Sequence, residues 1–72
     1  MMYVSYEKLR VLMVKKKIEW KHIRVGLGLA PRTITKLKED RIVDTDVLIR
    51  LCEFFHCDIG DIMAVKELDE SL

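Results

Sequence analysis

The sequence predicts an all-α domain of five short helices, and three observations carry that prediction. Apolar residues recur at steps of three and four along most of the chain. One proline and three glycines punctuate 72 residues, and no stretch of β-type alternation runs far. Helix-start and helix-stop residues fall between the apolar stretches at regular intervals. The length points to one domain, residues 1–72, which buries roughly 60% of its unfolded surface. That leaves no room for an enlarged catalytic cleft beside the core. Half the residues are hydrophobic, which places the chain among globular domains.

In the first predicted helix Tyr6, Leu9, Leu12 and Met13 form the inward stripe. Ser5 is the expected N-cap, and Lys15, Lys16 and Lys17 close the helix, where cations suit the dipole. Val11 and Val14 fall off the stripe and are expected at the surface. The second helix spans about 20–27, with Trp20, Ile23 and Leu27 inward. Gly28 supplies a turn residue able to take positive φ, and Leu29 plugs the turn into the core. Pro31 suits the first turn of a third helix, 31–39, because its missing N–H has no partner there. The inward residues of that helix are Ile34 and Leu37, with Ala30 just ahead of it. Asp44, Thr45 and Asp46 signal the start of the fourth and most apolar helix, in which Leu48, Leu51, Cys52 and Phe55 share a stripe widened by Val47 and Phe54. His56 and Cys57 end it. Asp58 is expected to cap a fifth helix in which Ile59, Ile62 and Met63 pack, and the tail after it is expected to be loose. The end segments MMYVSY and MAVKEL can instead form short strands, paired within the chain or across a dimer.

Several function classes find no support. No apolar run approaches the length of a membrane span, and the first residues lack the pattern of a secretory signal, so the cytosol is the expected location and no membrane partner is expected. Cys52 and Cys57 are the only cysteines. A disulfide between them would close a short loop across a helix end, which a reducing compartment disfavours. With only His22 and His56 to join them, a zinc site is not expected. They read as a buried free thiol and a small loop residue. The acidic residues form no pair at catalytic spacing, and no serine sits in a nucleophile context. Neither an enzymatic activity nor a cofactor or small-molecule ligand is expected.

The net charge of +1 hides an asymmetry. Residues 1–38 carry ten Lys or Arg against Glu7 and Glu19, while residues 39–72 carry Arg41, Arg50 and Lys66 against ten acids. Clustered cations create a local potential suited to a polyanion. Within the basic half, 20–39 reads as two short helices joined by a tight glycine turn, the second thinly apolar and basic. That is a helix-turn-helix pattern. The first helix braces, and the second buries a narrow stripe and leaves a cationic face free for a DNA major groove.

These features resemble the Cro/C1-type (Xre-like) helix-turn-helix family of bacterial and phage repressors, in particular its small single-domain members. The residues that carry the resemblance are Ile23 and Leu27, Gly28-Leu29, the run PRTITKLK at 31–38, and VLIRLCEFFHCDIGDIM at 47–63. The resemblance implies a lambda-repressor-like fold and a sequence-specific DNA-binding regulator that binds double-stranded operator DNA as a homodimer. It implies base contacts from Pro31, Arg32 and Lys36, groove-wall or phosphate contacts from Thr33 and Thr35, and a phosphate bound at the start of the bracing helix by Trp20 and Lys21. Lys38 and Arg41 are expected to flank these on the DNA backbone. The chain departs from the family pattern at Trp20, where glutamine is common, at Arg24, where a small alanine is common, and at Ala30, where a serine or threonine cap is usual. The exposed Val11 and Val14 and the acidic half support an alternative: a protein-interaction module of the same fold, accessory or antitoxin-like. RNA binding lacks the stacking aromatics that such modules use.

Overall fold

The structure, a computed structural model, describes residues 1–68. In chain order the elements are β1 (Met2–Ser5), α1 (Glu7–Lys16), α2 (Trp20–Leu27), α3 (Pro31–Lys38), α4 (Thr45–Phe55), a 3₁₀ turn (Ile59–Asp61) and β2 (Ala64–Glu67). The four main helices stand where the apolar periodicity places them, and no strand interrupts 20–55.

The fifth helix is absent; a single 3₁₀ turn takes its place. Asp58 Oδ1 accepts from the Ile59 N–H at 2.7 Å, and Asp61 Oδ2 accepts from the Asp58 N–H at 3.1 Å, so the capping signal is real. The helix stops after one turn because Ile62, fully buried, anchors the chain and the next residues are drawn out into β2. Ile59, expected to pack inward, is exposed, while Met63 packs on the core edge.

The end segments pair with one another within the chain. β1 and β2 form an antiparallel ribbon in the register Met2↔Glu67, Tyr3↔Lys66, Val4↔Val65 and Ser5↔Ala64. The tail expected to be loose is therefore ordered through Glu67 as a strand; its last residues, 69–72, lie outside the described part. Because Ser5 belongs to β1, it is not the N-cap of α1. Tyr6 holds that position, and Ser5 Oγ accepts from the Glu7 N–H at 3.3 Å from one residue further back.

One core joins the four helices and β1. Leu9 and Met13 of α1, Ile23 of α2, Leu29 of the turn, Ile34 and Leu37 of α3, four residues of α4, and Ile62 form a single cluster, closed by Val4 and Tyr6. Trp20 and Leu27 are half-buried at its rim. Phe54 also packs against this cluster, edge-on to Phe55 with centroids 5.1 Å apart. The Phe54 ring also lies where a Cβ at Gly26 would be 3.2 Å away, so this helix crossing favours glycine.

Each of the four α-helices ends the same way. A residue in the left-handed region (Lys17, Gly28, Asp40 or His56) reverses the chain, with φ of 56°, 64°, 57° and 54°. The next N–H then bonds back to a carbonyl five residues earlier: Ile18 to Met13, Leu29 to Arg24, Arg41 to Lys36, Cys57 to Cys52, all at 2.9–3.0 Å. This is the long bond of the Schellman arrangement, and α1 and α4 add its second bond, Lys17 N–H to the Val14 carbonyl at 3.2 Å and His56 N–H to the Glu53 carbonyl at 3.4 Å. Only one of the four reversals uses glycine, so three of these stops rest on residues for which the conformation is costly.

Candidate nucleic-acid interface

Two helices of eight residues each, α2 and α3, are joined by Gly28, Leu29 and Ala30. Gly28 takes a φ of 64° with open space where a side chain would be. Leu29, 7% exposed, pins the turn to the core. Ala30 is the extended N-cap of α3 and supplies no side-chain acceptor, while Pro31 opens the helix. Ile34 and Leu37 are buried and hold α3 by one narrow stripe.

The rest of α3 faces outward. Pro31, Arg32, Thr35, Lys36 and Lys38 are exposed and Thr33 is half-buried. Arg32 and Lys36 are one helical turn apart and share a strip opposite the buried stripe. Among the described residues, Arg32, Lys36 and Lys38 make no ion pair, although acids are abundant elsewhere on the chain. Thr35 Oγ1 donates to the Pro31 carbonyl at 3.2 Å, which occupies its hydroxyl proton within the helix.

At the start of α2, Glu19 is the extended N-cap, and its N–H donates to His22 Nδ1 at 2.9 Å. His22, expected only as an exposed residue, therefore fixes the chain entering this helix. Lys21 is exposed, with a long 3.8 Å pairing to Glu19. Lys38 Nζ lies 5.8 Å from the centre of the Trp20 ring. The geometry brings these two predicted residues together: the indole face attracts the ammonium and joins the end of α3 to the start of α2. Arg41 stands beyond the α3 C-terminus with its Nε 3.2 Å from Glu39.

The cluster that holds the end of α3 has no signal in the periodicity. Arg10 of α1 reaches across 30 residues: its Nη1 donates to Asp40 Oδ1 at 3.0 Å and to the Leu37 carbonyl at 3.2 Å, and its Nη2 lies 3.4 Å from Asp40 Oδ2. The Tyr6 N–H donates to the same Oδ1 at 2.8 Å, and the Tyr6 hydroxyl donates to the Arg41 carbonyl at 2.7 Å. The hydrogen bonds from Arg10 hold the Asp40 carboxyl below its ordinary value. Burial raises the Tyr6 phenol, which stays a neutral donor. Arg10, counted with the basic half of the sequence, thus fastens α3 to α1. On the other side Arg50 of α4 donates to the Leu27 carbonyl and caps the end of α2.

A buried brace, a glycine turn and a helix held by one stripe and clamped at its end define a helix-turn-helix domain. A family profile for the Cro/C1-type HTH DNA-binding domain matches residues 8–67. The fold is similar to the crystal structure of the transcriptional regulator VanUg (form II), with a TM-score of 0.89 and 33% identity over 93% of this chain and 89% of that one. No curated protein shows significant similarity to the sequence. The chain belongs to the Cro/C1-type helix-turn-helix family.

Proposed function

We propose that the protein is a sequence-specific DNA-binding transcriptional regulator that sets α3 into the major groove, two copies acting together on a two-fold operator. The observation that carries this reading is the outward strip of α3: an exposed cationic face without acidic partners among the described residues, on a helix whose only core commitments are Ile34 and Leu37. Arg32 is the base reader, since its fork matches guanine O6 and N7, and Lys36 supports it from the same strip. Pro31 offers an apolar contact to a thymine methyl. Thr33 and Thr35 face the groove wall. The first N–H groups of α2, at Trp20 and Lys21, take a backbone phosphate, and Lys38 and Arg41 flank it. A monomer offers one recognition helix, and a homodimer doubles the contacts and sets half-sites about 34 Å apart. Neither a reaction nor a cofactor forms part of this reading. No helix among the described residues is long and apolar enough to cross a membrane, and the expected setting is the cytosol of a bacterium or of a phage host.

The test is selection of bound sequences from a random duplex pool, followed by titration of the enriched duplex at several salt concentrations. One enriched motif and a linear fall of log affinity with log salt are expected. Binding that prefers no sequence, or none at all, transfers the fold to the second reading, a protein-interaction module. That reading is favoured by the exposure of Val14 at 79% and Val25 at 73% on α1 and α2.

A further inference from the structure

The end of α4 differs from the other three helix ends in what its reversal brings together. His56 takes the left-handed conformation, its N–H donates to the Glu53 carbonyl at 3.4 Å, and the Cys57 N–H donates to the Cys52 carbonyl at 3.0 Å. Such a paired closure frequently brings the side chains of its first and sixth residues together, and here the Cys52 and Cys57 thiols lie within hydrogen-bonding reach of each other. At the other three helix ends those residues are Met13 and Ile18, Arg24 and Leu29, and Lys36 and Arg41. At the end of α4 they are two cysteines, both free thiols, both half-buried at the edge of the core. Both also line one open surface cleft with Ile49 and Ile59, so a small solute reaches them from outside.

We propose that Cys52 and Cys57 are a reversible thiol-modification site, which closes to an intramolecular disulfide by exchange with a low-molecular-weight disulfide such as oxidised glutathione. A closure of residue i+5 onto residue i holds the two Cα atoms near the separation that a disulfide spans, about 4.4–6.8 Å. In the first step one protein thiol, as thiolate, attacks a sulfur of the small disulfide. The small S–S bond breaks, one small thiolate leaves, and a mixed disulfide remains. The second protein thiol, again as thiolate, attacks the protein sulfur of that mixed disulfide, and the second small thiolate leaves. The protein loses two electrons and two protons, and the reagent ends as two thiols. Burial first, then the adjoining Cys52 thiol with Asp61 and Asp58, raises the Cys57 thiol above its ordinary value. Glu53 and His56 line the same cleft. The backbone bonds of the helix end are already made in the thiol form, so closure requires no rearrangement of α4.

The experiment equilibrates the reduced full chain with graded ratios of oxidised to reduced glutathione, in native buffer and in denaturant, and reads the products by mass after trapping free thiols. The expected product in native buffer is lighter than the reduced chain by two hydrogens, refractory to alkylation at both cysteines and restored by dithiothreitol. Its equilibrium constant should be roughly tenfold or more larger in the folded chain than in denaturant, because the fold pre-sets the pair. Cys52→Ser should abolish the lighter species and leave Cys57 as the mixed disulfide. Mixed disulfides at both cysteines in the native chain, or a constant no larger folded than unfolded, overturns the proposal.

Discussion

Helices α3 and α4 are neighbours in the chain and solve opposite problems. The longer, α4, buries Val47, Leu48, Leu51 and Phe55, and Cys52 and Phe54 also pack on the core, while Ile49 faces solvent. The shorter, α3, buries two residues and leaves its cations in solvent. Burial is the main hold on α4, with one polar tie from Arg50 to the Leu27 carbonyl. The position of α3 depends on parts outside itself: Leu29 in the turn before it, the Trp20 ring under Lys38, and the Asp40 cluster behind it. A helix that buries only a narrow apolar stripe is weakly held by burial, so polar clamps at its ends take over the positioning.

The largest effect should come from α4. Leu51 is fully buried at the centre of the core, and Leu51→Ala is expected to destabilise by about 2–5 kcal/mol. Chemical denaturation reads this directly, and an unchanged midpoint would mean that α4 is not the spine of the domain. On α3 the contrast should be sharp. Arg32→Ala should leave the thermal midpoint within a few degrees, yet weaken binding to the selected duplex and flatten discrimination at one base position by about 1–3 kcal/mol. A loss of stability there instead would make the residue structural and blur the distinction between the two helices.

The clamp behind α3 is the next test. Asp40→Ala leaves the Arg10 guanidinium and the Tyr6 N–H without their acceptor and should cost about 1–2 kcal/mol. Asp40→Asn keeps a side chain that tolerates positive φ and can still accept one bond, so it should cost less. The pH dependence separates the charge from the geometry. The folded-state carboxyl lies below the ordinary value of 3.8. The extra stability is therefore present above that value and is lost as the pH falls through the depressed folded-state value. The gap between the wild-type chain and Asp40→Asn should close over that acid range, as followed by denaturation at stepped pH.

A smaller effect, and a gain, is expected at the reversals. Lys17 and His56 hold φ of 56° and 54° without the side-chain bonds that Asp40 makes. Lys17→Gly and His56→Gly should each stabilise by about 0.5–1 kcal/mol, because glycine removes the steric cost of the left-handed conformation while giving up some unfolded-state advantage. Lower midpoints in both variants would show that the reversals are relaxed as they stand. The smallest effect should be at Lys38. Lys38→Ala should weaken all duplexes alike and lower the salt slope by about one, with a slight loss of stability from the indole contact.

The sequence by itself determined the four helices, the glycine turn and the face that each helix buries, because apolar periodicity is a local property and the core only has to accept it. Ile34 and Leu37 were legible as the inner stripe of α3, so Arg32 and Lys36 were legible as its outer strip. The Asp58 cap was legible too, but not the fate of the helix it starts. A cap promotes one turn; whether a second follows depended on β1 drawing residues 64–67 into a ribbon, a pairing between the two ends of the described chain. The same distance in sequence hid the Arg10–Asp40–Tyr6 cluster: a charge census reads Arg10 as one more cation of the basic half, and only the packing of α1 against the end of α3 turns it inward. The contact of Cys52 with Cys57 was likewise settled by the left-handed turn at His56, a conformation that the sequence did not announce with glycine. Local patterns chose the elements and their faces, and tertiary structure chose the ends of those elements, because an end is satisfied by whatever part of the chain lies beside it.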